Sequence, residues 1–203
     1  MKQKIVNTSA TAALELLISE LGEMFTEINT AFTQRRLSLK YTQTTDDSAK
    51  QIRKCLVTLS ETTDGLSAAE ALAIQGISIN LSKVFYDVLR LTDHVESKIK
   101  NKVLFSEEAM AEMSGLLKRS SDLLPHVADA LRTCNELIEK HVEKEVEELR
   151  SYAANSTLTH EDRLCKNVCH PKASVIYLQM LQHIQDILWH FKALACHNAI
   201  SLQ

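Results

Sequence analysis

Residues 77–99 read ISINLSKVFYDVLRLTDHVESKI, and this stretch decides the fold. Its apolar residues fall at Ile77, Leu81, Val84, Val88, Leu91, Val95 and Ile99. Steps of four and three place them all along one side of a helix, facing a core. Ninety-six residues further on the pattern returns at Tyr177, Leu181, Ile184, Leu188, Phe191 and Ala195. These align with Leu81, Phe85, Val88, Thr92, Val95 and Ile99, and His190 aligns with His94. The two segments read as equivalent helices of a duplicated bundle.

The rest of the chain fits around these two helices. A first helix is predicted over residues 9–37, with its stripe at Leu14, Leu17, Leu21, Met24 and Ile28. The polar run at residues 42–48, TQTTDDS, reads as a turn or a frayed helix start. A second helix then carries Ile52, Cys55, Leu56 and Leu59 and stops at residues 62–65, where Gly65 suits a left-handed cap. Ser67 and Glu70 form a capping box that opens the third helix, which runs to about Lys102. Ser106, Glu107 and Glu108 open the fourth, and Pro125 is expected to kink it. A break at Cys134 and Asn135 starts the fifth, which Asn155, Ser156 and Thr157 threaten to interrupt. His170 and Pro171 start the sixth.

The predicted class is therefore all-α, with six long antiparallel helices arranged as two pseudo-repeated three-helix bundles. The first repeat spans residues 1–104 and the second residues 105–203.

Composition agrees with long helices and excludes several functions. Of 203 residues 45 % are hydrophobic, enough to bury a sizeable core, and only 4 are Gly and 2 Pro. The net charge of −3 gives no electrostatic basis for binding nucleic acid. No apolar run reaches the ~18 residues that a membrane helix needs, and the opening residues lack the layout of a secretory signal. The odd count of 5 cysteines predicts a reducing compartment without a disulfide framework. Trp189 reads as core before docking surface.

The motifs resemble a known family. DVLRLTDHVESKI, residues 87–99, resembles the DLERIGDHAENI segment of PhoU-like domains, and residues 170–195 resemble the family's second-repeat segment. FSEEAMAEM at residues 105–113 is similar to the family's opening of the fourth helix, and HEDRL at residues 160–164 to its His-x-x-Arg-Leu. The resemblance covers essentially the whole chain. It is greatest to the cytoplasmic domain that follows the membrane part of bacterial sodium/phosphate cotransporters. It implies a non-enzymatic regulatory domain that modulates sodium-dependent phosphate transport or phosphate homeostasis through protein contacts; the helical pattern by itself equally fits a generic helical-bundle adaptor or sensor unrelated to phosphate. The implied partner is a membrane phosphate transporter, fused or associated, at the inner face of the plasma membrane. The apolar stripes leave room for a homodimer.

In that family a Glu and an Asp four apart put two carboxylates on one helical face, where a divalent or iron-type cation can be held. Here the Glu position is Leu89 in the first repeat, and Gln185 and Trp189 replace both acids in the second. Asp87, Asp93 and His94 remain as candidate metal ligands, although Asp87 and Asp93 stand about 120° apart around the helix. The implied metal site is degenerate, and no cofactor is expected.

Other chemistry is weaker. His160, Cys165, Cys169 and His170 have residue types that suit zinc, but they straddle a helix end and a turn. A ferritin-like site needs Glu three before His, and none of the eight histidines has one. No phosphate loop, nucleophile elbow or catalytic Cys–His signature occurs, so an enzyme is not expected.

Overall fold

The computed structural model describes residues 8–61, 66–166 and 169–196, with side chains from Ala10 onward. The expected stop at residues 62–65 lies outside them. Six helices follow in order: α1 (Thr8–Gln34), α2 (Leu39–Glu61), α3 (Ala68–Lys100), α4 (Glu107–Thr133), α5 (Glu136–Cys165) and α6 (Pro171–Ala195). No strand occurs among the described residues.

The helix starts are set by side chains that satisfy the first free amides. At α3 the Ser67 hydroxyl accepts from the Glu70 amide, and the Glu70 carboxylate accepts from the Ser67 amide, a complete capping box. Ser106 accepts from the Ala109 amide at 3.2 Å and Asn135 from the Leu137 amide at 2.9 Å. At α6 the His170 Nδ1 accepts from the Lys172 amide, with Pro171 in the first helical turn. Cys134 ends α4 in the left-handed region, φ 51°. Pro125 lies inside α4, which continues on both sides of it.

Two polar runs are helical after all. Residues 42–48 lie within α2, and residues 155–157 do not interrupt α5. In both, hydroxyls bond back to carbonyls one turn earlier: Thr45 to Tyr41 at 2.8 Å, Thr157 to Ala153 at 3.1 Å. Thr45, Ser48 and Ser156 are buried, so tertiary packing outweighs weak helix propensity.

The principal helix pairs are α1–α2, α1–α3, α2–α3, α4–α5, α4–α6, α5–α6, α1–α4 and α3–α6. Exchanging α1 with α4, α2 with α5 and α3 with α6 returns the same set. One hydrophobic cluster draws residues from all six helices, so the two halves share a core. Its apolar burial stabilises by roughly 25 cal/mol per Å² removed from water. Near one end of α6, edge-to-face contacts run from Phe32 to Phe105 and from Phe105 to Tyr177.

Among the described residues, no helix is long and apolar enough to cross a membrane.

Candidate functional site

The seam between α3 and α6 holds a group of paired polar side chains. Two bonded pairs fix the antiparallel register: Asn80 with His190 at 2.9 Å, and Asp87 with His183 at 2.9 Å. Residue numbers rise along one helix as they fall along the other.

Asp87, His183 and Asp186 bring one ligand atom each to within 4.8 Å of one another. Among the described residues this is the one group of three or more His, Cys, Asp or Glu that could hold a metal ion. Asp186 sits one turn from His183 on α6, which puts both on the same side of that helix. The Asp87 and His183 side chains are 20 % and 22 % exposed, so they are enclosed without being sealed from water. An ionised carboxylate only accepts, so the His183 Nδ1–H donates to it. A cation shared by both carboxylates and His183 would displace that proton and take the ring nitrogen's lone pair in its place. Two carboxylates and one imidazole suit a borderline divalent cation such as manganese, iron or zinc.

His94 packs beside this group without joining it. Its ring stacks on His183 with centroids 5.3 Å apart. Burial, and next the His183 ring, hold its pKa below the usual histidine value. Asp93 points away: it is 65 % exposed and faces Arg90 at 3.5 Å. Of the three residues singled out in sequence, the seam therefore contains Asp87 with His94 alongside, and Asp93 lies on the surface. His183 and Asp186 were missed. Asp87 pairs across the interface rather than with its own helix neighbours Lys83 and Arg90.

Further along the seam His190 is buried, and burial holds its pKa down. Asn80 accepts from its Nδ1 and donates to the Gly76 carbonyl at 2.8 Å, which leaves the Asn80 amide well satisfied.

Apolar side chains flank the seam on its solvent side. Leu72, Ile79 and Tyr86 are exposed at seven-residue spacing on α3, and Val175 and Trp189 are exposed on α6. The register sets Ile79 level with Trp189. Trp189 is 52 % exposed with its ring edge-on to His190, so it belongs to the surface rather than the core. Lys83 and Arg90 lie exposed along the same side of α3.

Of the four zinc candidates, His160, Cys169 and His170 line one cavity without converging their donor atoms, and Cys165 lies outside it. Cys165 is exposed, His160 is buried, and the lone pair of His170 Nδ1 is spent on capping α6. None of the five cysteines forms a disulfide among the described residues.

Fold and seam together define a class: an all-α, six-helix bundle with an Asp–His–Asp cluster between two antiparallel helices. Comparison with protein-family models, with curated proteins and with solved structures returns no match.

Proposed function

We propose that this chain is a non-enzymatic regulatory module of the PhoU-like kind, which modulates sodium-dependent phosphate transport or phosphate homeostasis by docking on a membrane phosphate transporter. The transporter is fused to it or associated with it, and the module acts at the cytoplasmic face. The observation that carries this reading is the α3–α6 face itself. Its apolar residues at heptad spacing, Leu72, Ile79 and Tyr86, are all exposed, and Trp189 extends the patch across the seam. Exposed aromatic and aliphatic residues bordered by cations are what a helical contact surface requires.

The interchangeable helix pairing supports the duplicated architecture that the motif resemblance implies. The Asp87–His183–Asp186 group gives the face a place where a divalent cation can modulate docking.

The test is phosphate uptake in cells that carry a sodium/phosphate cotransporter, with and without this chain. Expression of the chain should change sodium-dependent uptake. The double variant Tyr86→Glu, Trp189→Glu alters only exposed positions, so it should keep its helicity and lose the effect. Uptake that ignores the chain, or responds equally to the variant, removes the proposal.

A further inference from the structure

A second concavity lies away from the seam, where α5 gives way to α6. It encloses about 240 Å³. Phe105, Tyr177, Ala109 and Ala173 provide apolar walls, and His160, His170, Cys169 and Ser106 provide the polar ones. Among the described residues, no Lys or Arg lines it.

His160 is the anomaly. It is 2 % exposed, and neither of its ring nitrogens has a hydrogen-bond partner among the described residues. Its ring rests on Tyr177, centroids 4.5 Å apart. Whichever nitrogen holds the proton, at least one N–H lacks an acceptor, and buried polar groups are as a rule paired. The neighbouring acid Glu112 does not supply one. Glu112 is already committed to Arg163, at 3.1 and 2.8 Å, and to the Tyr177 hydroxyl.

His170 adds a second donor. Its Nδ1 accepts from the Lys172 amide at 3.2 Å, so the proton of the neutral ring sits on Nε2. Two long helices also begin at this cavity: Ser106 and Ala109 of the α4 start line it, and so do His170 and Ala173 of the α6 start. Helix N-termini carry partial positive charge and favour anions. Glu107 and Glu108 of the α4 first turn are exposed and outside the lining.

We propose that this cavity binds a small organic monocarboxylate, held by N–H donors of His160 and His170 between the starts of α4 and α6. The short apolar body of the ligand packs against Phe105, Tyr177 and Ala173. A phosphate dianion is disfavoured because no cation lines the site among the described residues. A metal ion is disfavoured because the His170 lone pair is already used, and because the donor atoms of His160, Cys169 and His170 do not converge as those of the seam do. The inference is independent of the docking role.

The experiment is thermal melting and calorimetric titration of the full chain with butyrate and, separately, with inorganic phosphate and zinc. Butyrate should raise the melting temperature saturably. His160→Leu removes an unpaired polar group, so it should melt no lower than the parent and lose the response. His170→Asn keeps a capping residue but removes the ring donor, and should bind about tenfold more weakly. Ala173→Phe fills the space and should abolish binding, which keeps the test decisive if His160→Leu fails to fold. No saturable response to butyrate overturns the proposal. So does a response unchanged in both His160→Leu and Ala173→Phe, or a response confined to phosphate or zinc.

Discussion

His183 Nδ1 lies 2.9 Å from Asp87 Oδ1, and the two residues are 96 positions apart in the chain. That is the same offset that aligns the apolar stripes of α6 and α3. Aligned positions of the two stripes therefore meet across the α3–α6 seam. Identical carboxylates there would repel. One acid and one imidazole attract, and with Asp186 they form a possible cation site.

Manganese should therefore raise the melting temperature of the wild-type chain. Ligand that binds only the folded state stabilises by RT ln(1 + [L]/Kd), about 2.7 kcal/mol at a hundredfold excess over Kd. Asp87→Asn or Asp186→Asn should abolish the rise, whereas Asp93→Asn should leave it intact, since Asp93 is directed to solvent. The check is melting in millimolar manganese against metal-free buffer with chelator. An equal response from Asp87→Asn, or none from wild type, dismisses the seam as a metal site.

The helices were legible in sequence because apolar spacing and capping residues speak locally. Ser67 with Glu70, Ser106, Asn135 and His170 each mark a start that the chain uses. Residues 42–48 misled because Thr, Asp and Ser favour turns in isolation, while Ser48 is held in place by Glu20 of α1, 2.6 Å away and 28 residues distant. The site was half legible for the same reason. Asp87 stands out within its own helix, but His183 and Asp186 matter only through a pairing across 96 residues or more. The repeat offset is the one signal that could have joined them: it aligns Asp87 with His183.

Stability should fall on mild acidification. Burial depresses the pKa of His94, His160 and His190 below 6.5, with further repulsion from His183, Arg163 and Lys83 respectively. As pH drops past 6.5 the unfolded chain takes up these protons before the folded chain does. The unfolded state then binds more protons, so stability rises with pH across this window and is lost as pH falls through the depressed values. Melting temperature should be level from about pH 8 to 7 and decline between about pH 6.5 and 5. His160→Leu should flatten part of the decline. A melting temperature that holds or climbs over that range contradicts the burial of these rings.

Arg163 should be the costliest polar residue to remove in the second half. Its two bonds to Glu112 tie α5 to α4, and the Tyr177 hydroxyl ties α6 to the same carboxylate. Both charged side chains are largely enclosed, at 14 % and 16 % exposure. Arg163→Ala leaves the Glu112 charge with only a phenol, and should cost about 3 kcal/mol. Tyr177→Phe keeps the ion pair and should cost about 1 kcal/mol. Urea denaturation measures both. Reversal of that order would place the energy of the network in the phenol.

Lys98 runs the other way, because its loss should not destabilise. The residue is 2 % exposed, and its ammonium sits 4.9 Å from the Phe105 ring centre and 5.2 Å from that of Phe32. No carboxylate pairs with it among the described residues. Burial, and then the Arg35 charge, depress its pKa. Cation–π contact offsets the burial of the charge by about 0.5–2 kcal/mol. Lys98→Met keeps the length and the aromatic packing while removing the charge, and should match or exceed wild type by about 1 kcal/mol near neutral pH. The sign of the pH effect follows from the depressed pKa. As pH rises the folded chain releases this proton before the unfolded chain does, so wild type gains stability with pH up to 10.5. The advantage of Lys98→Met should therefore shrink between about pH 7 and pH 10. Urea denaturation at the two pH values measures it, and a variant weaker than wild type at neutral pH would mean that the rings hold the ammonium more strongly than burial penalises it.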